Sequence, residues 1–414
     1  MSAFSIAFLA ALLTTTAVKL WLAARHITHI RRHRTAVPAG FGAQVTLDAH
    51  QKAADYSIAK TRLEIAGALL EAGVLLALTF GGGLQLAHEL AAAGIGPGIV
   101  RGVALIALTA AVLTLAELPL ACYRTFRIEQ RFGFNKMTPR MFVADTLKHA
   151  LVATAFGIPL VGAVLWLMAR MGDAWWIYTW LVWVAFNLLL LIVYPIWIAP
   201  LFNKFSPLDN PQLKHRIEQL LARCGFRAQG LMVMDGSRRS SHGNAYFTGF
   251  GKSKRIVFFD TLLERLDAAE VEAVLAHELG HFRLRHVVKR MAWIFAASLG
   301  LLWLLSRLID APWFYAGLGV QTPSTAMALI LFFLVSPQFA FLLHPLTSVY
   351  ARRHEFEADR YAARHASAPA LVSALIKLYK DNAATLTPDP LHSAFYDSHP
   401  PAPLRIARLQ SGAA

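Results

Sequence analysis

Residues 175–199 read WWIYTWLVWVAFNLLLLIVYPIWIA and contain no charged side chain. A helix needs about 20 mostly apolar residues to cross the roughly 30 Å hydrocarbon core of a bilayer, so this stretch predicts a transmembrane helix. The composition of the whole chain agrees. Of the 414 residues, 56% are apolar and only 16% are charged, and the mean hydropathy is +0.46. This is too little charge to cover the surface of a water-soluble protein of this size.

Further apolar windows occur on both sides of this stretch. Their ranges are 3–24, 63–87, 99–121, 149–169, 291–309 and 324–347. The sequence therefore predicts a mainly α polytopic membrane protein with about seven transmembrane helices. The first window resembles a signal peptide in length, but no basic residue precedes its apolar part and a cluster of arginines follows it. We expect it to be an uncleaved span.

Basic residues alternate between the loops. The loops after spans one, three and five are rich in Lys and Arg, whereas those after spans two, four and six are nearly free of them. The positive-inside rule then places the N-terminus outside and the large polar segments 201–290 and 348–414 in the cytoplasm. The net charge of +15 is thus an orientation signal that also suits anionic lipid headgroups. Because no folded region interleaves a basic stripe with aromatics, we expect no nucleic-acid partner.

The first polar segment contains a metal-binding pattern, His277-Glu278-Leu279-Gly280-His281. Asp267 followed by Glu270 is a capping-box start, which predicts a helix through this pattern. Two histidines four residues apart on a helix project from one face, so both rings can bind one zinc ion. The glutamate beside the first histidine can polarise a water molecule. Upstream of this helix we predict a helix over Gln212–Cys224 and strands over Ala245–Phe250 and Arg255–Phe259.

Catalytic zinc takes three protein ligands and leaves one position open. The best third ligand is Glu355, with Asp359 four residues later to orient a ligating imidazole. Glu357 would point about 200° away from Glu355 on a helix and is the weaker candidate. Two spans separate His281 from Glu355. An even number of crossings returns the chain to the same side of the membrane, so the two can meet.

The sequence argues against two other kinds of site, a nucleotide-binding loop and an intramembrane protease site. Residues 251–253 read GKS like the end of a phosphate-binding loop, but Tyr246 stands where that motif needs glycine and a strand-like run follows it. We therefore expect no nucleotide. An intramembrane-cleaving metalloprotease would carry its histidine pair inside an apolar span, whereas this helix is amphipathic and acidic.

The chain resembles the integral-membrane zinc CAAX prenyl endopeptidase family, of type I, over nearly its whole length and with its motifs in the same order. The stretches that carry the resemblance are EQRFGFNK (129–136), PLFNK (200–204), SSHGNAYFTGF (240–250), KRIVFFDTLL (254–263), HELGH (277–281), 352–359 and SHPPAPLRIARL (398–409). The resemblance implies seven helices around a water-filled intramembrane chamber, with a small gluzincin-like α+β zinc peptidase region at its cytoplasmic end.

The family's functional residues fall on positions that match its motifs. The resemblance implies one zinc ion on His277, His281 and Glu355, a catalytic Glu278, a supporting Asp359, a substrate-binding edge strand at Asn244, Ala245 and Tyr246, and transition-state contacts from His399 and Arg405. It also implies four parts of the chain. These are a membrane region 1–200 with five spans, a cytoplasmic zinc peptidase region 201–290, spans six and seven within 291–347, and a C-terminal cytoplasmic region 348–414 with the third ligand.

We therefore expect a zinc-dependent membrane endopeptidase that cleaves near the C-terminus of prenylated or membrane-associated polypeptides. Its expected partners are a peptide or protein substrate and membrane lipids. The composition of the sequence, which is rich in Ala, Leu and Arg, predicts a bacterial protein and hence an inner-membrane location. Two alternatives stay open at this point. One is a metalloprotease of bacterial membrane-protein quality control, and the other is a non-enzymatic multispan transporter or scaffold with a structural zinc.

Overall fold

A computed structural model describes residues 1–228, 230–248 and 255–412. Most of these residues are helical. The helices of the first half are α1 (Ala3–His33), α2 (Leu47–Leu78), α3 (Gly83–Gly94), α4 (Ile99–Tyr123), α5 (Gln130–Phe132), α6 (Pro139–Arg170), α7 (Trp175–Val193), α8 (Ala199–Phe202) and α9 (Pro211–Arg223). Those of the second half are α10 (Asp260–Leu263), α11 (Ala268–Arg283), α12 (His286–Leu308), α13 (Pro312–Ala316), α14 (Thr325–Ala340), α15 (His344–His365), α16 (Ala368–Asp381), α17 (Pro390–Tyr396) and α18 (Ala402–Gln410).

Six helical segments are long and apolar enough to cross a membrane, and the bent pair α2 and α3 makes a seventh if it counts as one span. The six are Ala3–His33, Ile99–Phe132, Pro139–Arg170, Gly172–Phe202, His286–Leu308 and Thr325–His365. They correspond to six of the predicted spans, and the mainly α polytopic fold is confirmed. The last of them continues past the apolar part of α14 into α15, which carries Glu355.

The second predicted span, 63–87, runs from α2 into α3 and is broken between these two helices. The chain bends by 56° between α2 and α3. Gly82 adopts the left-handed backbone conformation (φ 75°), and a Cβ on Gly81 would lie only 2.6 Å from the carbonyl oxygen of Ala77. Glycine alone fits this turn, because its missing side chain permits both the positive φ and the close backbone approach. Hydropathy averaged over a window does not register such a break.

A polar contact joins three spans inside the bundle. Lys19 on α1 lies with its Nζ 2.6 Å from Glu71 on α2, and the amide of Gln338 on α14 donates to the same carboxylate at 3.0 Å. Apolar residues of α1, α3, α4, α6 and α14 pack around the neighbouring part of these helices. Charged groups in apolar spans are costly when they are unpaired, and this ion pair with its amide partner lowers that cost.

The polar region contains a four-stranded sheet in the order β1-β2-β4-β3. The strands are β1 (Phe205–Pro207), β2 (Gly230–Met234), β3 (Ala245–Thr248) and β4 (Arg255–Phe259). β2 and β4 are parallel, whereas β3 and β4 are antiparallel. The predicted strand Arg255–Phe259 is confirmed as β4, and the helix predicted over Gln212–Cys224 is confirmed as α9. The end of the predicted strand Ala245–Phe250, the GKS sequence and Lys254 lie outside the described residues.

One face of the sheet packs on α9, α11, α15 and α16, and together they form a single hydrophobic core. Ile256 and Phe258 of β4 are fully buried there, and Leu275 and Leu279 of α11 are each only 1% exposed. Val257, between the two strand residues, is 2% exposed, so β4 is covered on both faces, and the four-residue spacing of Leu275 and Leu279 marks the side of α11 that faces this core. The core therefore fixes α11 and its histidines between the sheet and α15.

Candidate metal and catalytic site

The histidine pair lies on α11, whose start is defined by its cap. The Asp267 side chain accepts hydrogen bonds from the backbone N–H groups of Ala269 and Glu270, and Glu270 in turn accepts from the N–H of Asp267. This capping box satisfies donors that the first turn of a helix leaves unpaired. The predicted helix start is thus confirmed. The register that follows places His277 and His281 on one face, one turn apart.

The structure brings His277, His281 and Glu355 together, so that one ligand atom from each lies within 4.8 Å of the others. The two Nε2 atoms of the histidines are 3.2 Å apart. The Glu355 carboxylate lies between them, with Oε1 at 3.2 Å from His281 Nε2 and Oε2 at 3.5 Å from His277 Nε2. The α12–α14 segment between the two motifs therefore brings Glu355 back to the histidines, as expected from two membrane crossings between them.

The spacing of these atoms fits a tetrahedral metal ion. Bonds of roughly 2.0–2.1 Å at tetrahedral angles place neighbouring ligand atoms about 3.3 Å apart, which matches the three separations. Glu355 Oε2 is buried and makes no hydrogen bond to any described residue, and the nearest cation is the Arg405 guanidinium at 3.6 Å. Since a buried carboxylate oxygen without a close donor is costly, a metal cation at this point would satisfy it. Two imidazoles and one carboxylate are also a ligand set that zinc prefers.

Asp359 and Arg405 surround the outer side of the first histidine. Asp359 Oδ1 lies 2.9 Å from His277 Nδ1, and the Arg405 guanidinium donates two hydrogen bonds to the Asp359 carboxylate, at 2.8 and 2.6 Å. Burial alone would lower the pKa of His277, but the neighbouring carboxylates of Asp359 and Glu355 raise it to about 9. These carboxylates thus favour positive charge at the ring, which a metal ion would supply in place of the proton. Asp359 fixes which nitrogen of His277 faces the proposed metal.

Glu278 opens onto a cavity of about 350 Å³ beside the three ligands. The same cavity is lined by His277, Ala245, His399 and Arg405. The predicted general base, the start of the substrate strand and both predicted transition-state residues therefore share one space. Their catalytic roles stay predictions.

His399 approaches the site from the segment before α18. Its Nε2 lies 3.4 Å from Glu355 Oε1, and its Nδ1 is 3.0 Å from the Ser398 hydroxyl. The side chain is 62% exposed, so the ring faces the open side of the cavity. By contrast, Arg405 is only 5% exposed and is engaged by Asp359. Arg405 therefore lies on the buried side of His277, whereas His399 lies at the exposed side of the cavity.

β3 is an edge strand, and within the described part of the chain no strand pairs with its outer side. The Phe259 N–H donates to the Asn244 carbonyl at 2.9 Å. Because main-chain groups alternate in direction along an antiparallel ladder, those of Tyr246 point toward β4, whereas those of Ala245 and Phe247 point to the outer edge. Of the three predicted substrate-strand residues, Ala245 thus turns its main-chain N–H and carbonyl outward. Its N–H donates to the Asn244 side-chain oxygen at 2.9 Å, and its carbonyl faces the open edge. The Tyr246 side chain lines a different cavity, beside Pro195 and Met232.

Two polar residues that were not predicted also line this cavity. They are Tyr379, in the last turn of α16, and Asn382, directly after that helix. Burial raises the pKa of Tyr379, so its hydroxyl stays protonated and can donate. The Asn382 side-chain oxygen lies 3.3 Å from the Gly243 N–H that donates to it and 3.1 Å from His242 Nδ1, which ties α16 to the segment leading into β3. No local sequence pattern distinguishes these two residues from the polar positions of an ordinary amphipathic helix.

Comparison with known proteins agrees with this arrangement. Residues 26–204 match the family described as CAAX prenyl protease N-terminal, five membrane helices, and residues 207–413 match Peptidase family M48. A CAAX prenyl protease 1 homolog from Oryza sativa subsp. japonica is 37% identical over 72% of this chain and 70% of its own length. The Mus musculus homolog is 34% identical over 98% of this chain and 95% of its own.

A solved structure gives the same result for the fold. The crystal structure of S. mikatae Ste24p superposes with a TM-score of 0.91 and 28% sequence identity, and it covers 99% of both chains. These relatives come from eukaryotes, so they lend no support to the predicted bacterial origin. The bundle of apolar helices identifies an integral membrane protein. The chain belongs to peptidase family M48 and is a membrane metalloendopeptidase of the CAAX prenyl protease type.

Proposed function

We propose that this protein is a zinc-dependent endopeptidase that hydrolyses a peptide bond near the C-terminus of prenylated or membrane-associated polypeptides. The observation that carries the proposal is the convergence of His277, His281 and Glu355 on one point. This point lies at the wall of a cavity that also contains Glu278 and the start of β3. The substrate class is supported by the relatives, whose names describe CAAX prenyl proteases.

His277, His281 and Glu355 would hold one zinc ion. Such an ion acts as a Lewis acid that polarises the scissile carbonyl and makes a neighbouring water molecule more acidic. Glu278, next to the first ligand in sequence and open to the cavity, would take the proton from the attacking water. It would then pass this proton to the leaving amine, as a general base that becomes a general acid.

His399 would donate to the oxygen that gains negative charge in the transition state. Its ring lies at the exposed side of the site, 3.4 Å from Glu355, and the value of such a donor depends on its being in place before the reaction. Asp359 and Arg405 would act on His277 and hold its ring in the tautomer that turns Nε2 toward the metal.

The free edge of β3 would hold the substrate as an added strand. Main-chain pairing at Ala245 and Phe247 would fix an extended peptide without regard to its side chains. Ala245 lines the same cavity as His277 and Glu278, so a peptide paired there would place a carbonyl close to the metal. Specificity for sequence or for a prenyl group would then have to come from other surfaces.

We also propose that the N-terminus lies outside and both polar regions lie in the cytoplasm, next to membrane lipids. The distribution of Lys and Arg among the loops supports this orientation. A hydrated chamber between the spans is supported by the ion pair of Lys19 and Glu71, whose side chains are 20% and 46% exposed in otherwise apolar helices. The comparisons do not favour the quality-control protease or the scaffold with a structural zinc.

The proposal can be tested with the full-length protein purified in detergent. The zinc content is measured, and cleavage of a farnesylated CAAX peptide is followed for the wild type, Glu278→Gln and the matched control Glu218→Gln on the exposed side of α9. We expect about one zinc per chain in all three and loss of cleavage in Glu278→Gln alone. Unimpaired cleavage by zinc-loaded Glu278→Gln would overturn the role of Glu278. A parallel assay with an unfolded, unprenylated polypeptide tests the substrate class, since equal rates on both would contradict it.

A further inference from the structure

The second zinc-ligating histidine has a neighbour that the family motifs do not explain. His281 Nδ1, the ring nitrogen that faces away from Glu355, lies 3.0 Å from Nδ1 of His286. The other nitrogen of His286, Nε2, lies 3.0 Å from Oε2 of Glu357. His286 is buried, with 4% of its surface exposed. We propose that His286 and Glu357 are positioning residues that orient His281 for zinc, an inference that rests on the proposed function.

The hydrogen atoms of this chain of contacts can be assigned in one consistent way. If His281 uses Nε2 for the metal, its Nδ1 carries the hydrogen and donates. His286 Nδ1 must then accept, which places the hydrogen of the neutral His286 ring on Nε2. From there it is donated to the Glu357 carboxylate. Each donor therefore meets an acceptor, and the negative charge of Glu357 favours electron donation by His281 toward the metal.

The backbone between α11 and α12 is shaped to make this contact. α11 ends at Arg283 and α12 begins at His286, so the chain turns within two residues. Arg285 adopts the left-handed conformation, with φ 58°. A residue with a Cβ rarely takes this conformation unless the surrounding structure enforces it. The turn folds His286 back against His281 instead of letting it continue along α11.

Each of the two histidines is then linked through its Nδ1 to a carboxylate. Asp359 contacts Nδ1 of His277 directly, whereas Glu357 reaches Nδ1 of His281 through the ring of His286. Both carboxylates come from α15, the helix that also supplies Glu355. Glu357 points away from Glu355, which makes it the weaker candidate for a zinc ligand. The same orientation allows it to contact His286.

A second metal ion is the competing explanation, since atoms of His286, His354 and Glu357 also lie within 4.8 Å of one another. The ring geometry is against it. His286 and His354 are stacked, with centroids 4.0 Å apart and planes inclined by only 7°. Lone pairs in parallel ring planes run side by side and do not converge on one ion. The Arg353 guanidinium also lies 3.4 Å from the Glu357 carboxylate and supplies positive charge there.

The test is the zinc affinity of the full-length protein in detergent, measured by competition with a chelator of known affinity. The variants are His286→Leu, His286→Asn and Glu357→Gln, with His215→Leu on exposed α9 as the matched control. Removal of an outer partner of a metal-bound histidine typically weakens metal binding about 10- to 100-fold. We expect this loss for His286→Leu. Asn can still accept from His281 Nδ1, and Gln keeps an acceptor oxygen for His286, so these two variants should lose less.

Thermal unfolding of the zinc-free proteins separates positioning from a merely structural role. For His286→Asn and Glu357→Gln we expect little change without zinc and a reduced gain in melting temperature when zinc is added. Zinc affinity within threefold of the wild type in all three variants would overturn the inference while leaving the proposed function intact. Two zinc ions in the wild type and one in His354→Asn would overturn it in favour of a second metal site. A wild type that binds no zinc would overturn the proposed function itself.

Discussion

Gly280 on α11 lies directly against Ala358 on α15. A Cβ placed on Gly280 would lie 3.0 Å from Ala358 Cα and 3.0 Å from Tyr361 Cβ. The two helices that carry the metal ligands therefore touch through their backbones, next to His281 on one side and between Glu355 and Asp359 on the other. The close approach of α11 and α15 is what allows a carboxylate of α15 to reach both imidazoles.

Gly280→Ala is expected to push the two helices apart. Overpacking of a tight contact costs typically about 1–3 kcal/mol, and here the shift also moves Glu355 away from the histidines. We expect a lower melting temperature and weaker zinc binding. Gly300→Ala on α12 is the matched control, because a Cβ there meets nothing within 4 Å. Equal zinc affinities and melting temperatures for the two variants would show that this contact does not set the site.

Asp359→Asn is expected to weaken zinc binding, by less than the roughly 10- to 100-fold typical of removing such a partner, because the outer nitrogen of His277 keeps an acceptor oxygen but loses the charge of the carboxylate. It also removes the charge that the guanidinium of Arg405, which is 5% exposed, contacts most closely, and leaves that guanidinium only the longer contact to Glu355 Oε2 at 3.6 Å. We therefore expect a lower melting temperature as well. Chelator competition and thermal unfolding check the two effects. Asp209→Asn, in the exposed loop before α9, should change neither, and wild-type affinity in Asp359→Asn would contradict the support assigned to Asp359.

His399→Ala is expected to lower kcat for the farnesylated peptide about 10²- to 10³-fold, the usual loss for a donor to a developing oxyanion. Zinc content should stay at the wild-type level, because the three ligands are in place without His399. Leu404→Ala, an exposed position on α18, serves as the control. Loss of zinc together with activity would assign His399 to metal binding, and an unchanged kcat would remove it from the mechanism.

Substitution in the substrate backbone tests the role of β3. A series of farnesylated peptides, each N-methylated at one position, removes one main-chain N–H at a time. If the peptide pairs with the free edge at Ala245 and Phe247, one or two positions should lose about 3- to 10-fold in kcat/KM, as expected for one hydrogen bond. Positions between them should be nearly unaffected. A uniform response along the peptide would contradict strand addition.

The parts of the molecule that depend on local sequence could be predicted. Asp267 and Glu270 define the start of α11 because a capping box acts within four residues, and the register of His277 and His281 follows from it. The encounter of His281 with Glu355 could be predicted because an even number of crossings fixes the side of the membrane. Runs of apolar residues likewise give the spans.

The remaining features depend on tertiary contacts that no short pattern encodes. The bend at Gly82 is hidden because hydropathy is averaged over many residues. The strands β1 and β2 are short and lack a distinctive alternation. The contact of His286 with His281 needs a left-handed turn at Arg285, a residue type that does not predict one, and Tyr379 reaches the cavity only because α16 packs on α11.

The central claim is that His277, His281 and Glu355 hold one zinc ion at the cavity wall. A zinc anomalous difference map of the purified full-length protein, recorded above and below the zinc absorption edge, tests it most directly. The account predicts a single strong peak about 2.0–2.2 Å from His277 Nε2, His281 Nε2 and a Glu355 oxygen. A map without this peak from zinc-containing protein, or with Glu355 far from the metal, would contradict it.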